Sequence, residues 1–137
     1  MRTRHARSGS TAIEYALILP VLLTILFGAM EYSWCFVQYE AVVRAAEAGA
    51  RAGAQVELTA NPNPTTVAQT VAKQTLTASF PAIGNAATVT STLTSSSTII
   101  NVTVQTNYPA IIKYLPTPPI LKSSASMPIE NPPLPTN

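Results

Sequence analysis

A carboxylate set inside an apolar run is the first residue of this chain that calls for a chemical explanation. From Thr11 to Met30 the sequence reads TAIEYALILPVLLTILFGAM, with Glu14 as its single charge, and Glu31 closes the run. A charged side chain costs ~2.5 kcal/mol or more at the centre of a membrane helix and less near its edge. Glu14 therefore has either a cationic partner or an interfacial position facing headgroups or water. Catalytic chemistry lacks its parts. His5 is the only histidine and lies among the first nine residues, aspartate is absent, and Cys35 is the only cysteine. No acid–base pair or nucleophilic triad can be assembled from these. Neither an internal disulfide nor a cysteine metal cage can form. No catalytic residue, metal site or cofactor is expected. Cys35 beside Trp34 reads as a buried small hydrophobe, with an intermolecular disulfide as the alternative. Asn101-Val102-Thr103 matches a glycosylation acceptor, but so short a pattern carries no weight.

The elements that must position Glu14 follow from hydropathy. Charged residues make up 10% of the 137 and hydrophobic ones 47%, so apolar character is concentrated rather than spread. At ~1.5 Å per residue, about twenty helical residues cross a hydrocarbon core of ~30 Å. Residues 10–31 are accordingly expected to form a transmembrane helix. A cleaved secretory signal shares the basic start and apolar core. This run is longer than such a core, no Ala-x-Ala site follows it, and helical pattern continues beyond it. Pro20 has no N–H for the carbonyl of Ala16, which predicts a kink or local loosening. The formal charge of +2 comes from the start of the chain, where Arg2, Arg4 and Arg7 lie without an acid. Basic flanks stay cytoplasmic, which places the N-terminus inside and the rest of the chain outside. The remainder is about neutral, so nucleic acid is not expected as a partner, and without catalytic parts no small-molecule substrate is expected either.

Helix is expected to continue through residues 32–58. Glu40 to Arg44 and Glu47 to Arg51 have the favourable i,i+4 order, and Arg44 to Glu47 links them. Tyr32, Trp34, Phe36 and Tyr39 lie where the helix leaves the bilayer; they suit either that interface or packing against a C-terminal domain. Ala45, Ala46, Gly49, Ala50 and Gly53 permit close approach of another helix or of the chain's own domain. Pro62 and Pro64 then break the helix. Residues 59–130 read as a small α+β domain. Its helix spans 65–80, with Val67, Ala68, Val71, Ala72 and Leu76 on one face, and PAIGN turns the chain. Residues 87–93 and 98–108 alternate, and they form a hairpin through Ser95 to Ser97. A third alternation runs Leu121, Ser123, Ala125, Met127, Ile129. So few elements make a thin core. The fold expected is α+β: a long N-terminal helix, transmembrane in its first half, packed on a small antiparallel β-sheet with one short helix. Residues 131–137 are expected to be a disordered proline-rich tail.

The junction Ser8-Gly9-Ser10-Thr11-Ala12-Ile13-Glu14-Tyr15 resembles the prepilin-peptidase site of Tad/Flp pilins, and residues 8–54 are similar to the TadE-like family. The resemblance rests on EYALILPVLLTILFGAMEY, a short aromatic stretch and AAEAGARAGA. It covers about a third of the chain well, and later segments such as LKSSASMPIE are only loosely similar. It implies a type IV pilin-like fold and removal of residues 1–9 as a leader by cleavage between Gly9 and Ser10. Glu14 and Tyr15 then become the fifth and sixth residues. The new ammonium on Ser10 would lie near Glu14, and in such families that glutamate pairs with the amine of a neighbouring subunit. The implied role is a minor pilin or pseudopilin in assembly of a Tad-type pilus, in the bacterial inner membrane, whose partners are prepilin peptidase, other pilus subunits and the inner-membrane assembly platform. Its C-terminal domain would be periplasmic or extracellular. The alternatives are a filament-forming pilin, or an uncleaved single-pass anchor that displays a binding domain.

Overall fold

The computed structural model describes residues 8–57, 63–94, 98–112 and 115–130, of which 8–10 by backbone alone. The basic residues Arg2 to Arg7, His5, the hairpin turn at Ser95 to Ser97 and the tail 131–137 lie outside the described residues. The first element, α1, is one α-helix, Ser8–Ala54. It runs through Pro20 without interruption. Hydroxyls along it are satisfied locally, Thr24 donating to the Pro20 carbonyl at 2.8 Å and Ser33 to that of Ala29 at 2.8 Å. Such back-bonding lets polar side chains exist where water is scarce.

Two environments divide α1. Every residue from Thr11 to Phe27 is exposed, whereas from Glu31 onward one face is buried at Glu31, Cys35, Gln38, Val42, Ala45, Gly49 and Gly53. The residues of that stripe are three or four apart, as a helix facing a core requires. Glu31 belongs to this buried face, so the bare apolar stretch ends at Met30. The helix stops at Ala54, short of 58. There the backbone N–H of Glu130, at the far end of the third strand, donates to the Ala54 carbonyl at 3.1 Å and closes the helix end.

After the proline break, α2 (Pro64–Ser79) begins at the Asn63 cap, whose side-chain oxygen accepts from the Thr66 N–H at 2.9 Å. Its buried residues are Pro64, Ala68, Ala72 and Leu76; Val67 and Val71 are half-buried. The PAIGN segment, expected to be a turn, is instead a short helix, α3 (Pro81–Ala86). Pro81 at its start has the φ a helix needs, and the Gly84 N–H donates to the Phe80 carbonyl at 2.9 Å.

Three strands, β1 (Thr88–Leu93), β2 (Ile99–Asn107) and β3 (Ile120–Pro128), form an antiparallel sheet in that order. Ile100, Val102, Val104 and Thr106 point to the core, opposite Met127, Ala125, Ser123 and Leu121. The alternation expected from the sequence is thus realised with the expected residues inward, Leu121 and Ile129 included. The Thr106 hydroxyl donates to the Ile83 carbonyl at 3.1 Å and ties α3 to the sheet. Long helix, short helices and small sheet together make the α+β fold.

Small residues decide how closely the layers approach. A Cβ on Gly49 would lie 2.7 Å from the Ala68 carbonyl oxygen and 2.8 Å from the Ala72 Cβ. One on Gly53 would lie 2.5 Å from Ile100 Cδ1. The Ala/Gly stripe is therefore covered by this chain's own α2 and sheet.

Candidate functional site

The residues singled out for assembly lie on the bare half of α1. Gly9 and Ser10 occupy its first turns by backbone, Glu14 follows about one turn later, and Glu14 and Tyr15 are exposed, Tyr15 at 70%. Neither Glu14 nor Tyr15 is covered by the C-terminal domain. A helix exposing Ile13, Leu17, Ile18, Leu22, Ile25 and Leu26 together has no stable place in water. Its length and composition suit a bilayer crossing, and the same helix passes unbroken into the core of the domain. Among the described residues it is the one helix of that kind, and it suits a chain anchored in the membrane by a single pass.

A second polar constellation, at the end of the apolar run, brings together residues distant in sequence. Glu31 is 1% exposed. Its Oε1 accepts from the Tyr108 hydroxyl at 2.8 Å and from the Ile111 N–H at 3.1 Å, and its Oε2 accepts from the Ile112 N–H at 3.0 Å. One turn of helix is thereby fastened to the segment linking β2 to β3. Beside it the Tyr32 hydroxyl donates to the Pro116 carbonyl at 2.9 Å. Burial alone would raise the Glu31 carboxyl, but the donors from Tyr108, Ile112 and Ile111 outweigh it and hold the group below its ordinary value. Burial, followed by the hydrogen bond to Glu31 and its charge, pushes the Tyr108 phenol far up, so that it remains a donor. Cys35 is 7% exposed, and burial and then the Glu31 charge raise its thiol. That environment suits an inert thiol, not an exchanging one.

Sequence spacing misses Glu31 as a structural residue, because its partners lie 77 to 81 positions away. The signal available is an acid at the run's end with no base within a helical turn. Gln38 is missed too: it is 2% exposed, with Oε1 buried and without a hydrogen-bond partner among the described residues.

Of the aromatic cluster, Trp34 takes the packing role. Trp34 meets Phe80 edge-on at a centroid distance of 5.7 Å, while Phe36 is 69% exposed and Tyr39 43%. Of the expected charge ladder, Glu40 to Arg44 closes at 2.6 Å on the solvent face. That pair adds little to stability at such exposure.

A family model described as TadE-like protein matches residues 9–51. The matched stretch begins at Gly9, takes in Glu14, Tyr15, Pro20 and the Glu31 turn, and ends inside the buried half of α1. No curated protein and no solved structure matches the chain.

Proposed function

We propose, from the premise that residues 9–51 form a TadE-like segment, that this protein is a minor pilin or pseudopilin acting in assembly of a Tad-type pilus. The observation that carries this reading is Glu14, a carboxylate on a helix half that the protein's own domain leaves bare. A membrane helix that only anchored a domain would gain nothing from a charge there. A subunit that must register against neighbouring helices would gain a specific electrostatic partner. Prepilin peptidase is the proposed processing enzyme and the bond between Gly9 and Ser10 its target.

Once cut, the chain would present the Ser10 ammonium and the Glu14 carboxylate within a turn of each other. One subunit's amine could then meet another's carboxylate as the helices bundle. The role is non-catalytic, with the inner membrane as the site of retention and the C-terminal domain on the far side from the basic leader. A filament-forming pilin is the second reading; the domain of some eighty residues after α1 favours the minor role.

Mass spectrometry of the native protein from membranes of cells with a working prepilin peptidase tests the processing step. The mature chain is expected to begin at Ser10, and replacement of Gly9 by a bulky residue should leave the precursor whole. Native protein that retains Met1 to Gly9 would instead favour an uncleaved anchor displaying a binding domain.

A further inference from the structure

The contact between α1 and the rest of the domain changes character along its length. At its outer end it is dry and close: Val42, Ala45, Ala46 and Ala50 are fully buried, and Gly49 and Gly53 meet Ala68, Ala72 and Ile100 with no room for a Cβ. At its membrane end the same buried stripe carries Glu31, Cys35 and Gln38, at 1%, 7% and 2% exposure. Polar and sulfur-bearing side chains thus occupy three successive steps of a helix face that is otherwise valine, alanine and glycine.

These two ends respond oppositely to water. Parting the outer end would wet apolar surface and satisfy no polar group. Parting the membrane end would return the Glu31 carboxylate to water and give Gln38 Oε1 the donor it lacks among the described residues. An apolar side chain at position 38 would not carry that cost, so the amide weakens the closed contact at this one level. What holds it closed is mainly the set of donors to Glu31 from the Tyr108 hydroxyl and the N–H groups of Ile111 and Ile112. All three lie past the end of β2 at Asn107, so they can leave the carboxylate without breaking the pairing of the sheet.

We propose that the domain parts from α1 in stages: the membrane end, at Glu31, Cys35 and Gln38, opens to water while the outer end, at Ala45, Gly49 and Gly53, stays packed on α2 and the sheet. Partial opening of this kind begins where the fewest apolar contacts hold an element in place. When closed, the contact makes helix and domain tilt together. When open, it lets α1 tilt in the bilayer while the domain remains attached by its outer end. The inference is independent of any role in a pilus.

Cys35 reports the opening without an added probe, because its thiol is covered when the contact is closed and meets a water-soluble maleimide only when it parts. The test labels the full chain in nanodiscs under native conditions, beside a Val102→Cys variant in a Cys35→Ala background. Val102 is fully buried at the outer end, against Gly49. Phe36→Cys in the same background, at a position 69% exposed, gives the unhindered rate next to Cys35. Cys35 is expected to react well below that rate, yet about tenfold or more faster than the Val102→Cys thiol. Two further substitutions separate staged opening from unfolding of the whole domain. Ala68→Gly loosens the outer contact, which the partial opening keeps, so it should speed labelling of the Val102→Cys thiol and leave Cys35 unchanged. Tyr108→Phe removes a donor at the membrane end and should speed both. Equal rates at the two thiols, or acceleration of Cys35 by Ala68→Gly to the same degree as the Val102→Cys thiol, would overturn the inference.

Discussion

Three donors converge on two oxygens at Glu31, and a protonated carboxyl could not accept all of them equally well. Because the group is held below its ordinary value, the stability it contributes is fully present above the unfolded-state value of about 4.5. It is lost as the pH falls through the lower folded-state value. Glu31→Gln keeps shape while removing the charge, and leaves an N–H pair aimed at donors. The variant should melt lower than the wild type at pH 7, and the gap should narrow as the pH is brought below 4.5. Thermal unfolding of the anchored protein in nanodiscs at the two pH values measures this. Equal gaps at both would mean that the carboxylate's charge is irrelevant to the clasp. Glu14 is legible in the sequence because it interrupts an apolar run and its oddity is local. Glu31 reads there only as the end of the run, since nothing near it in sequence announces Tyr108 or the two backbone donors. Chemistry that depends on local contrast is visible along the chain, and chemistry that depends on distant chain crossings is not.

At the scale of elements, periodicity carries most of what could be read. The strands are recognisable because β2 alternates cleanly, with Ile100, Val102, Val104 and Thr106 inward. The two ends of α1 differ because one is apolar apart from Glu14 and the other mixes small residues with charge. The small-residue stripe does not announce its partner, since a neighbouring subunit and the chain's own domain place the same demand on helix spacing. α2 and the sheet settle it in favour of the latter. Gly49→Leu should accordingly destabilise the domain by about 1–3 kcal/mol through overpacking against Ala68 and Ala72. Ala48→Leu, one position away and half-buried, should cost less. Denaturant melts of the two variants compare them; an equal effect would show that α1 and α2 pack more loosely than their spacing indicates. The short helix at PAIGN escapes sequence reading for a different reason. A proline followed by small residues and glycine suits a turn as well as a single helical turn, and the choice falls to the packing of Ile83 and Gly84 beneath α2.

On the scale of the whole molecule, one helix serves two surroundings. Its outer half is the spine of a thin domain, and its inner half has no protein cover, so in the membrane it is available to lipid or to other helices. The clasp at Glu31 joins the halves, and any motion of the helix in the bilayer would be passed to the domain through that turn. If the bare half is where subunits meet, Glu14 is the group that should decide it. The measurement is piliation and crosslinking to other pilus subunits in cells carrying Glu14→Gln, at matched protein level, with Thr11→Ala as a control that leaves charge unchanged. Loss of crosslinks and of surface pili is expected in the Gln variant, with precursor level, cleavage and topology near wild type. Normal piliation in that variant would contradict the assembly role of Glu14 and leave it as a carboxylate that merely faces the interface.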